Sequence, residues 1–305
     1  MVKVRSPASA TVINAISTGK GSAFGIQLYV TADVTILDCD TRKNIECVCK
    51  SLDYPDMDTS LMHLCVKKMY DKLNEYDLFN LKNICLNVET KSEIPPGSGL
   101  SSSSAASNSI VYGTFLVLLE KAGISRDNID ISDEDLINIG IDASLETGVT
   151  KTGSYDDASA SFYGGWKITD DYKRKILYDY LVDYQKVLIY IPNKPLYTAQ
   201  SDVKAMKTLA PLVEIAYSHA IKKNIEKALT LNGFLYCAAL DLNSQIAIDA
   251  LKSGATAAGL SGTGSAYSIL VKDLSDIDEI KSALSKYGGR LVETKPDNKG
   301  SVVIG

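Results

Sequence analysis

Apolar and polar positions alternate over 2–5 and again over 26–37, where β-branched residues are frequent, and both stretches predict strands. The segment between them, 7–25, is rich in small residues and glycine and reads as a short strand plus a loop. Apolar residues at 61, 62, 65, 66, 69 and 73 have helical spacing, so 58–76 is expected to be a helix. Alternation returns over 84–89, and Cys47 and Cys49 fall on one face of another strand. The 84–89 strand runs into Pro95–Ala105, which opens an apolar helix over 103–121 that stops at Gly123. Ser132 followed by an acidic run marks a helix start with a capping pattern, and that helix is expected to reach Glu146 and end at Gly148. Residues 147–165 are dense in Gly, Ser and Asp and read as a loop. Further on, the pattern predicts a strand at 187–191, helices over 199–209, 211–229 and 233–251, and two short strands around a glycine loop. A helix at 276–287 and a strand at 290–293 close the chain. The class is α+β with antiparallel sheets, in two halves joined near 165–185 without a long tether.

The chain has 305 residues, 45% of them hydrophobic and 23% charged, enough to bury a core without a disulfide or metal staple. A net charge of −5 gives no basic surface for nucleic acid, so no nucleic-acid partner is expected; anionic small molecules need only a few placed cations. The cysteines at 39, 47, 49, 65, 85 and 237 form no C-x-x-C, and only His63 and His219 could assist them, so they read as reduced thiols with no zinc site. The N-terminus lacks a long apolar signal segment, and the most apolar stretch, 110–119, is too short to span a membrane. A soluble, cytoplasmic protein is expected.

The strongest chemical feature is Pro95-Pro96-Gly97-Ser98-Gly99-Leu100-Ser101-Ser102-Ser103-Ser104-Ala105. Prolines end the strand, glycines let the backbone approach a ligand, and hydroxyl residues lead into a helix whose free N–H groups favour phosphate. No G-x-x-x-x-G-K-[ST] occurs, so this is not a P-loop. A second cluster includes Ser261, Gly262, Thr263 and Gly264; alone it reads equally as a tight hairpin, and with the first it forms a second wall of a phosphate site. Glu146, Asp156 and Asp157 supply carboxylates of the kind that hold Mg²⁺ or orient a hydroxyl.

The run PPGSGLSSSSAA resembles the nucleotide-binding motif of the GHMP kinases, GLSGTGSA resembles their C-terminal motif, and PASATVINA lies where their first motif belongs. Several members place a lysine where this chain has Ser9, and no Gly-Glu-His segment is present. TVINAISTGKGSAFGI, PPGSGLSSSSAASN and TGSYDDASASFYGG together resemble the archaeal-type shikimate kinase branch. The resemblance implies a ribosomal protein S5 domain 2-like domain over 1–170 and a ferredoxin-like domain over 171–305, with ATP and Mg²⁺ as cofactors and shikimate as the small-molecule substrate. It places the Mg²⁺ serine on Ser103, with Ser102 as neighbour, and the metal glutamate on Glu146. The catalytic aspartate falls on Asp156 if the following Asp-Ala is aligned, which is the preferred alignment, or on Asp157 if the spacing from Glu146 is kept. A cation should face the γ-phosphate or the substrate carboxylate; Lys20 is the first candidate, ahead of Lys151 and Arg5. A kinase for another alcohol such as homoserine, or a non-catalytic nucleotide-binding regulator, remains an alternative. Trp166 reads as packing near the domain junction, and Tyr155 either lines the pocket or packs in the core.

Overall fold

In the computed structural model, which describes residues 1–41, 43–193 and 202–305, the first two strands are much longer than alternation alone indicates. Strand β1 covers Val2–Ile13 and β2 covers Lys20–Leu37, so most of the expected loop is paired strand, buried on both faces from Ser6 to the end of β1 and from Gly21 to Ile26 in β2. Burial on both sides removes the period-2 signal. Strand β3 (Ile45–Ser51), helix α1 (Ser60–Leu73), strand β4 (Ile84–Ser92), helix α2 (Ser102–Ala122) and helix α3 (Asp133–Glu146) follow. The α3 capping box forms as expected: Ser132 Oγ accepts from Asp135 N and Asp135 Oδ2 accepts from Ser132 N.

The expected loop after α3 contains helix α4 (Tyr155–Tyr163). Its Ala and Ser residues are buried on nearly every face, which leaves no 3.6-residue period to read. Strands β5 (Trp166–Asp170) and β6 (Lys175–Tyr180) form a hairpin on β2. The first sheet runs β11–β1–β2–β4–β3, where β11 (Val302–Val303) returns from the C-terminus. All its pairs are antiparallel except β3 with β4, which is parallel. The first sheet therefore takes strands from both sides of residue 170, and the expected boundary falls at the end of β5 within the β5–β6 hairpin.

The second sheet is antiparallel, ordered β10–β7–β9–β8, from β7 (Lys186–Ile191), β8 (Ala257–Leu260), β9 (Tyr267–Val271) and β10 (Arg290–Thr294). Its helices are α5 (Val203–Thr208), α6 (Ala210–Ile221), α7 (Ile225–Ala239), α8 (Gln245–Lys252) and α9 (Ile277–Ser285). The expected 211–229 helix is broken because Lys223 has φ +59 and Asn224 caps a new helix, accepting from Lys227 N. Of the expected 199–209 helix, residues 199–201 lie outside the described residues.

One hydrophobic cluster packs α1–α4 on the first sheet, and the other runs without interruption from β1 and β2 into α6, α7 and the second sheet. Polar contacts lock the junction: Tyr236 Oη donates to Asn14 O at 3.1 Å, and Ser17 Oγ donates to Met206 O at 2.8 Å. Trp166 is buried and donates Nε1–H to Ser22 Oγ at 2.7 Å. Cys39 and Cys85 form a disulfide (Cα–Cα 6.1 Å), which corrects the expectation that all six thiols are reduced; β4 brings Cys85 beside a segment 46 residues earlier.

Candidate active site

The loop before α2 reverses on Gly97 (φ +62) and Gly99 (φ +75), and Ser101 caps the helix in the left-handed region (φ +58). The 21-residue helix α2 thus presents its unpaired N-terminal N–H groups, with the positive end of its dipole, beside Ser102, Ser103 and Ser104. The second glycine loop, between β8 and β9, is fastened to the first. Ser261 Oγ donates to Gly99 O at 2.9 Å and accepts from Thr11 N at 3.1 Å, and Ala266 N donates to Ser98 O at 2.9 Å. Gly264 packs directly on Gly99: a Cβ built there would lie 2.2 Å from Gly99 N.

These loops border a cavity of about 560 Å³. Pro96, Gly97, Gly99, Ser101, Ser102, Ser103, Ser104, Gly262 and Thr263 line it. Pro95, Ser98, Leu100, Ala105 and Gly264 do not; Ser98 Oγ closes the turn onto Pro95 O at 2.7 Å, and Leu100 and Ala105 anchor the motif in the core. Val30, Tyr54, Met57, Leu61, Met62 and Ile94 give the cavity an apolar portion, supplied by β2, α1, the segment before α1 and the segment after β4. Among the described residues, no Lys, Arg or His lines it.

Both aspartates of the α4 first turn face the cavity, in different company. Asp157 Oδ1 accepts from Ser9 Oγ at 2.9 Å and Thr11 Oγ1 at 3.3 Å, while Ser9 Oγ stands 2.7 Å from Ser101 Oγ. Burial pushes the Asp157 carboxyl up, and the hydroxyls of Ser101, Ser9 and Thr11 oppose that push. Ser9 thus occupies the place at which a lysine could have met this carboxylate, and β1 delivers it there.

Asp156 is buried against a third acid, Asp171, which no sequence motif marks. Asp171 accepts from Thr169 Oγ1 at 2.6 Å and from Tyr155 N at 2.9 Å, and it shares a hydrogen bond with Asp156. Two adjacent buried carboxyls cannot both ionise cheaply. Burial, then Asp171 and then Asp157, drive Asp156 well above the usual carboxylate range, and burial pushes Asp171 up to about 6. Asp156 therefore holds the proton. Gly21 makes room: a Cβ there would meet the Asp156 carboxyl at 2.7 Å.

A carboxyl raised in the folded state stabilises the fold below its unfolded value near 3.8 and loses that contribution as pH rises through the folded value. Asp156→Asn keeps a neutral donor toward Asp171 and removes the retained proton. Its unfolding free energy, measured in urea from pH 4 to pH 7, should gain on the wild type by on the order of 1 kcal/mol per pH unit. A gap independent of pH would show that Asp156 is ionised.

The structure places Glu146 and Lys20 away from the cavity lining. Glu146 lies outside the cavity, its carboxylate 2.8 Å from Lys68 Nζ. The cavity-facing residues of this stretch are Gly140, Ile141, Ser144, Thr147 and Gly148, and Glu146, two positions past Ser144, projects from another face. It is not placed as a metal ligand. Lys20 points to α6, where Nζ donates to both oxygens of Glu214 at 2.9 and 3.0 Å, and it does not line the cavity. Arg5 stacks 4.2 Å from the Tyr29 ring centroid, and neither it nor Lys151 lines the cavity. The hydroxyls of Ser102 and Ser103 and the Asp157 carboxylate do line the cavity, and hard oxygen donors of this kind fit Mg²⁺.

Residues 63–165 match the GHMP kinases N terminal domain and residues 219–290 match the GHMP kinases C terminal domain. The chain is 44% identical over 301 residues to a shikimate kinase of Methanothermobacter thermautotrophicus, covering 99% of this chain and 97% of the relative. It is also 44% identical over 303 residues to a shikimate kinase of Methanobrevibacter smithii, covering 99% of each. In three dimensions it resembles a homoserine kinase from Cytophaga hutchinsonii, with a TM-score of 0.72 at 16% identity over 99% of this chain and 97% of the other. No helix among the described residues is long and apolar enough to cross a membrane.

Proposed function

As the chain belongs to the GHMP kinase family, we propose that it is an ATP-dependent shikimate kinase, transferring the γ-phosphoryl group to a shikimate hydroxyl to give 3-phosphoshikimate. The observation that carries this reading is the end-to-end similarity to archaeal shikimate kinases, at 44% identity over 99% of the chain.

The apolar portion of the cavity suits the nucleotide base. The phosphates belong against the backbone N–H groups of 97–104 and the second glycine loop. With no cation among the described lining residues, their charge is met by the α2 dipole, by those N–H groups and by the metal. Mg²⁺, when bound near Ser102, Ser103 and Asp157, neutralises charge on the phosphate oxygens. Asp157 is the acceptor-side carboxylate: Ser9, Thr11 and Ser101 fix its orientation, and it takes the proton of the attacking hydroxyl. Asp156, holding its own proton against Asp171, is a positioning residue that keeps the first turn of α4 in place.

The test is a coupled ADP-release assay with Mg·ATP against shikimate, homoserine, mevalonate and galactose. Shikimate-dependent turnover at roughly 1 per second or faster is expected. Turnover only with another alcohol would overturn the substrate assignment, and ATP binding with no acceptor would overturn catalysis.

A further inference from the structure

A cluster of metal-ligating side chains lies outside the cavity. Cys47 and Cys49 sit two residues apart on β3, the last strand of the first sheet, so both project to the same face. That face packs on α1, which carries His63 in its first turn. A ring nitrogen of His63 and the two sulfurs all lie within 4.8 Å of one another. Both thiols are free, since the disulfide uses Cys39 and Cys85. The cysteines are half-buried and the histidine is exposed, which leaves a path from solvent.

Two details of the cluster match a metal site. The sulfurs are 3.8 Å apart. Two thiolates about 2.3 Å from one tetrahedral ion would stand about 3.8 Å from each other. His63 is also oriented: its Nδ1 lies 2.9 Å from Thr59 O. A carbonyl oxygen can only accept, so Nδ1 carries the hydrogen and the lone pair is on Nε2. A backbone carbonyl that holds one ring N–H, leaving the other nitrogen for the ion, is the usual outer partner of a metal-bound histidine.

We propose that Cys47, Cys49 and His63 form a binding site for a thiophilic divalent cation of the zinc class, with the fourth tetrahedral position open to water. Binding displaces two thiol protons to solvent and changes no oxidation state. The ion clamps the edge strand β3 to α1, the helix whose Leu61 and Met62 line the cavity. The donors are soft sulfur and imidazole, so the site selects against Mg²⁺ and is separate from the oxygen set at Ser102, Ser103 and Asp157.

The test uses tag-free, full-length, metal-stripped protein with its disulfide intact, titrated anaerobically with Co²⁺. One equivalent should produce thiolate-to-cobalt charge transfer and the intense visible bands of tetrahedral Co²⁺, both bleached by Zn²⁺. Cys47→Ser with Cys49→Ser should abolish the charge transfer, His63→Gln should weaken Co²⁺ binding at least ten-fold, and Cys237→Ser should change neither. Zn²⁺ should raise the melting temperature of the wild type and not of the double variant. Kinase activity of the double variant in Mg·ATP alone should match the wild type, showing that it folds. A weak octahedral spectrum without charge transfer, or bands that survive in the double variant, would overturn the site.

Discussion

Asp157→Asn is expected to lower kcat by about a hundred- to ten-thousand-fold, the usual size of a lost proton acceptor, while ATP binding stays within a few-fold of wild type. The amide has the same shape and can still accept from Ser9 and Thr11, which hold the carboxylate at 2.9 and 3.3 Å, so the loss falls on proton acceptance and charge. Most of the nucleotide cradle is the 97–104 backbone and the α2 N-terminus, and the amide oxygen keeps one ligand for the metal. Asp156→Asn makes the contrast. That side chain already carries its proton against Asp171, so an amide replaces a neutral group and kcat should fall by less than about ten-fold. Steady-state kinetics of the two variants, with ATP affinity from calorimetry, decide the matter. A crippled Asp156→Asn beside an active Asp157→Asn would move the catalytic role one residue back.

Gly264→Ala should be nearly as damaging, for a steric reason. The added Cβ would stand 2.2 Å from Gly99 N and 2.3 Å from Gly99 Cα. Both obstacles are backbone atoms, so no side-chain rotation relieves the clash and the two glycine loops must separate by roughly 1 Å. Overpacking of this kind costs about 1–3 kcal/mol of stability. A 1 Å displacement at the phosphate site costs about a hundred-fold in kcat/KM. Gly123→Ala is the control: nothing lies within 4 Å of its Cβ and only its φ of +69 is unfavourable. It should lose about 1 kcal/mol and keep its kinetics. Wild-type kcat/KM for ATP in Gly264→Ala would show that the two loops need not touch.

The elements legible in the sequence are those whose signals are local. The strand, proline-glycine turn, serine run and apolar helix from Ile84 to Ala122 are adjacent in the chain, and so are the Ser132 capping box and the β8–β9 loop. Their residues determine an anion site and an α+β class because turn chemistry, caps and apolar runs act over a few positions. Helix α4 was hidden because a helix packed on nearly all sides by Ala and Ser shows no stripe. The break at Lys223 turned on a single αL residue followed by the Asn224 cap.

Which chemical groups the protein has, and in what order its motifs run, is written in the chain. Which of those groups meet depends on the fold. The family resemblance puts a metal glutamate on Glu146, but its side chain meets Lys68. Lys20 sits in a glycine-rich motif, but its strand turns it to Glu214. Asp157 meets Ser9, about 150 residues away, while Asp156 meets Asp171, just past the next strand. Cys49 and His63 become neighbours because β3 pairs with β4 while α1 crosses behind them. In each case a side chain's partner depends on the rotation of a helix or the register of a strand, which long-range packing sets and no local sequence pattern carries.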